Sequence, residues 1–297
     1  MRAKCILGTA QLGSNYGVAN QHGQPDEPTA RKIVATALRH GICYFDTAQA
    51  YGNSEEVLGR VLHVLNATEQ AKIITKLVPR SLESSDSLKS AVNNSVLHLG
   101  IEAMYCLMLH EEKQLPLLDH WQGEFLQELV GHGRVQKIGI SVYGPEAALE
   151  ALNHPRVDVV QIPSNIFDRR FVAAGVFETA KALKKEIHVR SVFLQGVLCM
   201  LPDSLPEHFS KLRPALTAFL KCCIDVDCTP SQAALCWMQY HHPEVFLIFG
   251  AETPFQVQSN MDFIRLGESV ARSFFEELDA LDVPQSAKLF NPDLWPR

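Results

Sequence analysis

The sequence predicts an α/β fold built as a single (β/α)8 barrel, and three observations predict it. Eight short apolar runs recur along the 297 residues, each nearly continuous rather than alternating. That pattern is what parallel strands buried on both faces require. Helix-length amphipathic segments separate the runs, giving the strand–helix alternation of a barrel. No linker rich in Gly, Ser or Pro divides the chain, so one domain over residues 1–297 is expected. The open doubly wound sheet competes, but no G-x-G-x-x-G follows the first run.

The expected strands, in order, are Cys5–Leu7, Ile42–Asp46, Lys72–Lys76, Met104–Leu109, Lys137–Ser141, Val157–Ile162, Ile187–Phe193 and Val245–Phe249. "PTARKIVATALRHG" forms the first long helix: Pro28 or Thr29 opens it, Ile33, Ala37 and Leu38 share a face, and Gly41 follows its last turn. "SDSLKSAVNNSVLHLG" places Leu88, Val92 and Leu99 on one stripe and stops at Gly100. "SQAALCWMQYHHP" starts at a Ser cap and stops before Pro243. Residues 199–210, with Pro202 and Pro206, read as a long loop after strand seven, and helices are expected over 254–281.

Composition excludes several classes. The chain is 46% hydrophobic and 20% charged, with a net charge of −6 and no long Lys/Arg run, which argues against a nucleic-acid partner. "MRAKCILGTAQLG" lacks the apolar core and cleavage site of a secretory signal. No stretch approaches the roughly 18 apolar residues of a membrane span. Eight cysteines form no C-x-x-C and meet no His at zinc spacing, so no metal is expected. Cys43 and Cys106 sit in apolar runs, where a free thiol behaves as a small hydrophobe. A reduced, cytoplasmic protein is the reading, as a monomer or small homo-oligomer.

In a barrel the chemistry sits at the C-terminal ends of the strands. There the chain offers Asp46, Lys76, His110, Ser141 and Gln161, with Tyr51 in the loop after strand two. A phenol titrates near pH 10, and a neighbouring ammonium lowers that value. A carboxylate beside the Lys keeps it charged despite burial, and a His can orient a carbonyl oxygen. Such a set protonates a developing oxyanion. It contains no nucleophile, so a bound hydride donor fits better than hydrolysis.

The markers "LGTAQLGSNYG", "GICYFDTAQAYGNSEEVLG", "IITK", "LMLH", "IGISVYG", "VVQIPSNIFDR" and "VFLIFGAETPFQVQSN" follow one another over nearly the whole chain. In them the sequence resembles the aldo-keto reductase family. The resemblance implies a catalytic tetrad of Asp46, Tyr51, Lys76 and His110, with Tyr51 as acid, Lys76 and Asp46 tuning it, and His110 orienting the carbonyl. It also implies NADP(H), with NAD(H) as the other candidate, and a small carbonyl or alcohol as substrate. The cofactor contacts it implies are Thr9, Asp46, Ser141, Gln161, Arg190, Ser191, Phe193, Gly250, Gln256 and Asn260. Val142 stands where many members carry Asn, and Arg190 where many carry an aromatic that stacks on the nicotinamide. Gly250 replaces a frequent Lys and Gln256 a frequent Arg of the adenosine-phosphate clamp, which weakens the case for strict NADP preference.

Each residue also has a plainer reading. Asp46 alone is a turn former, Tyr51 a rim packing residue, Lys76 a solvated strand end and His110 a satisfied histidine. Their joint occurrence at four strand ends favours function. Ser54-Glu55-Glu56 reads as structural, Ser54 capping a helix whose first turn suits acids. Arg190 could stack on cofactor or pair with an acid. Tyr16, Tyr143 and Phe167 could line the mouth or simply pack, and Cys222–Cys223 reads as packing. Two rival functions remain: a cofactor-binding regulatory subunit of the same fold, and an aldolase or isomerase using Lys76 as a Schiff base.

Overall fold

The computed structural model describes residues 4–20 and 22–296, and all eight expected strands are present. They are β1 (Lys4–Gly8), β2 (Tyr44–Asp46), β3 (Lys72–Leu77), β4 (Met104–Leu109), β5 (Val135–Ser141), β6 (Val159–Pro163), β7 (Glu186–Arg190) and β8 (Phe246–Gly250). They close in chain order into a parallel barrel, with β1 pairing to both β2 and β8. Closure removes the sheet edges. Burial on both faces explains the unbroken apolar runs: every residue of β4 is buried.

The outer layer follows the strands. β1 leads into α1 (Ala10–Gly13) and α2 (Glu27–Arg39), β2 into α3 (Ser54–Val64), β3 into α4 (Ser85–Leu99), and β4 into α5 (Trp121–Gly131). β5 leads into α6 (Pro145–Asn153), β6 into α7 (Arg170–Ala173) and α8 (Val176–Leu183), and β7 into α9 (Arg213–Asp225) and α10 (Pro230–His241). After β8 come α11 (Pro254–Met261), α12 (Phe263–Ser269), α13 (Arg272–Asp279) and α14 (Ala287–Phe290), the last lying beyond the expected 254–281.

The main core fills the layer between sheet and helices, and a smaller one fills the barrel axis with Ile6, Ile74, Cys106, Met108, Val159 and Ile248. Gly139 in β5 makes room for it: a Cβ there would meet Met108 Cγ at 2.8 Å and Cys106 Sγ at 3.0 Å.

Several boundaries shift for local reasons. α2 is capped by Asp26, whose carboxylate accepts from the Thr29 amide at 2.9 Å, so Glu27 and Pro28 fill the first turn. α10 starts at Pro230 under a Thr229–Gln232 capping box, not at a Ser cap. β7 stops at Arg190, short of Phe193, because Ser191 turns to a φ of +58°. The irregular stretch is longer than expected: short 3₁₀ segments occupy Leu194–Cys199, Pro202–Ser204 and Glu207–Leu212. Ser54 is not a cap. It is the first residue of α3, and its buried hydroxyl donates to the Thr9 carbonyl at 2.7 Å.

Candidate active site

The barrel gathers the expected residues on one rim. Asp46 ends β2, Lys76 lies next to last in β3, His110 follows β4, Ser141 ends β5, and Arg190 ends β7. Lys76 is fully buried and donates to Asp46 Oδ1 at 2.7 Å and to the Thr47 carbonyl at 2.9 Å. The Gln161 amide donates to the other Asp46 oxygen at 2.7 Å. Asp46 is therefore gripped on both oxygens, and its backbone carbonyl accepts from the Thr9 amide and hydroxyl, each at 2.9 Å.

Tyr51 reaches back over this pair. Its hydroxyl lies 3.5 Å from Lys76 Nζ, and its ring meets the His110 ring edge-on at 5.9 Å. The loop carrying it is pressed against α1. A Cβ on Gly13 would sit 1.8 Å from the Tyr51 carbonyl oxygen and 2.5 Å from the Ser54 amide. Gly52, at a φ of +57°, approaches the Gly13 carbonyl just as closely. Both glycines are needed for that contact. Beneath it the Thr9, Thr47 and Ser54 hydroxyls bond one another, at 2.8 Å for Thr9–Ser54 and 3.0 Å for Thr47–Ser54. Glu55 lies in the first turn of α3 as expected and is also buried, accepting from Thr75 at 2.6 Å.

The protonation states follow from burial. The Tyr51 phenol is pushed up by burial, further by the Asp46 charge, and opposed by Arg190. The expected net lowering by Lys76 is absent, because the ammonium is committed to Asp46 at 2.7 Å and stands 3.5 Å from the phenol. Burial also lowers Lys76, against the opposing pull of Asp46. His110 is pushed down to about 4 by burial, with Lys76 and Arg190 adding to the effect. At neutral pH the site holds a protonated phenol, a neutral imidazole and one buried ion pair.

A cavity of about 440 Å³ opens beside Tyr51. Of the residues expected to touch a cofactor, Thr9, Asp46, Arg190, Ser191, Phe193, Gly250, Gln256 and Asn260 line it. Ser141 and Gln161, buried and paired in register across β5 and β6, lie outside that lining. Gln161 Oε1 is a buried acceptor without a hydrogen-bond partner among the described residues. Arg190 pairs with no carboxylate among them; its guanidinium lies 4.2 Å over the Tyr143 ring and donates to the Val142 carbonyl at 3.2 Å. Tyr16 lines the cavity, whereas Phe167 is fully buried against Phe219.

Sequence reasoning missed two contributors. Gln11 fills the space next to Gly250: a Cβ there would meet its side chain at 2.3 Å, so that glycine leaves room for an amide rather than a gap. Glu252 lines the cavity and faces His22 at 3.1 Å. Gln256 is tied down, its Oε1 accepting from the Glu252 amide at 2.6 Å. Only Glu252 left a sequence trace, an acid directly before the Thr253 cap of α11.

Comparison with known proteins agrees with this geometry. The family model described as the Aldo/keto reductase family matches residues 4–282. The NADH-specific methylglyoxal reductase of Escherichia coli is 24% identical over 93% of this chain and 94% of its own. The NAD/NADP-dependent indole-3-acetaldehyde reductase of Schizosaccharomyces pombe is 28% identical over 64% of this chain and 62% of its own. Among solved structures, the glycerol dehydrogenase of Gluconobacter oxydans shares the fold with a TM-score of 0.74 at 23% identity, covering 93% of this chain and 90% of that one. An aldo-keto reductase from Bacillus halodurans in its holo form shares it with a TM-score of 0.72 at 22% identity, covering 96% and 95%. With the barrel, its rim and a family match over nearly its whole length, this chain belongs to the aldo/keto reductase family and is an oxidoreductase by that membership.

Proposed function

We propose that this protein interconverts an aldehyde or ketone and its alcohol with a nicotinamide dinucleotide, Tyr51 acting as the general acid. The observation that carries the reading is Tyr51 itself: a phenol that keeps its proton at neutral pH, lining the cavity, 3.5 Å from a fully buried Lys76. Bound nicotinamide would supply the hydride. Tyr51 would hold the carbonyl oxygen by its O–H and deliver that proton as charge develops there, an effect worth roughly 10²–10⁴ in rate. The resulting phenolate would face the Lys76 ammonium, kept in place by Asp46. Neutral His110, edge-on to Tyr51, has one ring N–H to fix the carbonyl oxygen.

The residues present suit such a cofactor. Gln161 Oε1 needs a donor, which a carboxamide N–H provides, and Ser141 stands beside it in register. At the other end Thr253 caps α11, which carries Gln256 and Asn260 and whose N-terminus suits a phosphate. The family resemblance favours NADP(H). Two features pull the proposal toward NAD(H): the Glu252 carboxylate lining the cavity, and a Gln256 already bonded to the backbone. An acid near a ribose favours a 2′-hydroxyl over a 2′-phosphate. The relatives' printed names, one NADH-specific and one NAD/NADP-dependent, support leaving both open to this chain.

The Schiff-base reading loses ground because Lys76 is fully buried, ion-paired and outside the cavity lining. The proposal further takes the substrate as a small molecule, the setting as cytoplasmic and the assembly as a monomer or small homo-oligomer. Among the described residues no helix is long and apolar enough to cross a membrane. The test is oxidation of NADH and of NADPH over an aldehyde and ketone panel, with wild type beside Tyr51→Phe. Turnover should fall by about 10² or more in the variant, with cofactor titration unchanged. Near wild-type turnover in Tyr51→Phe would overturn the assignment.

A further inference from the structure

One cation on the rim, Arg190, has no ion-pair partner among the described residues. Asp46 and Lys76 neutralise each other at 2.7 Å. Arg190 is a third charge on the same cavity, and a guanidinium stays charged. Three carboxylates of this end of the barrel make their short contacts with groups other than Arg190, although Glu252 also lines the cavity. Asp168 pairs with Arg170 at 2.7 Å, and Glu252 with His22 at 3.1 Å. Glu112 accepts from the Tyr143 and Gly144 amides at 2.8 and 3.2 Å.

Arg190 is also held in place from one side only. The Tyr143 ring backs its plane, and the Val142 carbonyl takes one N–H. Its remaining N–H groups have no hydrogen-bond partner among the described residues. A half-buried guanidinium fixed by stacking, with its donor fork free, matches the planar, bidentate geometry of a carboxylate. Leaving such a cation without an anion in a partly dry cavity is costly.

We propose that Arg190 is the specificity residue for an acidic substrate, so that the carbonyl compound reduced here carries a carboxylate that the remaining N–H edge of its guanidinium binds. The inference rests on the oxidoreductase reading above and adds the substrate class to it. Tyr51 and His110 take the carbonyl oxygen, and Arg190 takes the acid group from β7. The acid is bound and released unchanged; only the carbonyl carbon gains hydride and its oxygen the Tyr51 proton.

The experiment compares 4-oxobutanoate and glyoxylate with their methyl esters, using wild type, Arg190→Gln and Arg190→Lys. The readout is the acid-to-ester ratio of kcat/KM, which a general loss of activity does not move. Wild type should favour the acids by at least about tenfold, the scale of a charge-assisted hydrogen bond. Arg190→Gln should bring the ratio close to one, and Arg190→Lys should restore part of it through charge without the fork. A wild-type ratio near one, or a ratio unmoved by Arg190→Gln, would overturn the proposal. So would an equal loss of NADH and NADPH affinity in Arg190→Gln by fluorescence titration, since Arg190 would then serve the cofactor, by its phosphates or by stacking on nicotinamide. A second arm uses calorimetry of 4-hydroxybutanoate against 4-hydroxybutanamide on the NADH-saturated protein. If no carbonyl is turned over, the oxidoreductase reading fails, and the same titration on the protein without added dinucleotide still decides the anion site: acid-selective binding lost in Arg190→Gln supports it, and equal binding of the two probes refutes it.

Discussion

Replacing Lys76 by Met separates what the rim does for stability from what it does for chemistry. The change removes the cation of a pair at 2.7 Å whose members are almost fully buried, Lys76 at 0% and Asp46 at 4% exposure. Asp46 keeps the Gln161 amide but loses its counter-charge. Breaking one side of a buried pair costs about 3–5 kcal/mol, because the remaining charge is stranded. For 297 residues the unfolding entropy is about 0.6 kcal/mol per degree, so Tm should fall by about 5–8 °C. Adding Asp46→Asn removes the stranded charge while leaving an oxygen for Gln161. The double variant should therefore regain most of the lost Tm and remain inactive. Thermal unfolding followed by circular dichroism at fixed pH and salt reads the first effect, and carbonyl reduction the second. A Lys76→Met protein as stable as wild type would refute the buried ion pair. A double variant less stable than the single would show that the cost lies in packing rather than charge. Turnover retained in either variant would remove Lys76 from the chemistry.

The remaining predictions probe other parts of the rim. His110 is lowered from 6.5 to about 4, so the unfolded chain takes up a proton there before the folded one. Its contribution to stability is intact above pH 6.5 and is lost as pH falls toward 4; a ring NMR titration with a midpoint near 6.5 would contradict the burial. Gly13→Ala places a Cβ 1.8 Å from the Tyr51 carbonyl oxygen, so the loop must shift. Turnover should drop by about 10²-fold, the scale of a misplacement near 1 Å. Gly13→Ala should leave cofactor affinity nearly unchanged; wild-type kinetics would mean the loop relaxes without moving the phenol. Glu252→Gln removes a carboxylate from the cavity lining and should tighten NADPH by about 1–2 kcal/mol, with little change for NADH. Equal effects on both cofactors in a fluorescence titration would place Glu252 away from the 2′ position.

What the sequence made legible, and what it hid, divides along physical lines. Strands buried on both faces must be apolar throughout, so all eight were readable from single runs such as Met104–Leu109. The rim set was readable because Asp46, Tyr51, Lys76 and His110 carry rare chemistry at strand ends, and the structure brings them together. Positions set by long-range contact were not. Ser54 looked like a helix cap because only a local hydrogen bond was visible, yet its hydroxyl belongs to a network with Thr9, 45 residues away in the chain. Nothing local in the sequence marks Gly13 and Gly52, although their close approach positions the Tyr51 loop. The direction of the Tyr51 shift was misread for a related reason. From sequence, a Lys near a Tyr acts on it alone, whereas in the fold Asp46 takes the short contact and desolvation dominates the phenol. That outcome leaves Tyr51 protonated at neutral pH, the state a proton donor to a developing alkoxide must start from. Arg190 follows the same pattern: its residue type was evident, but that no carboxylate among the described residues pairs with it depends on eight strands closing together, and that gives the residue its proposed role.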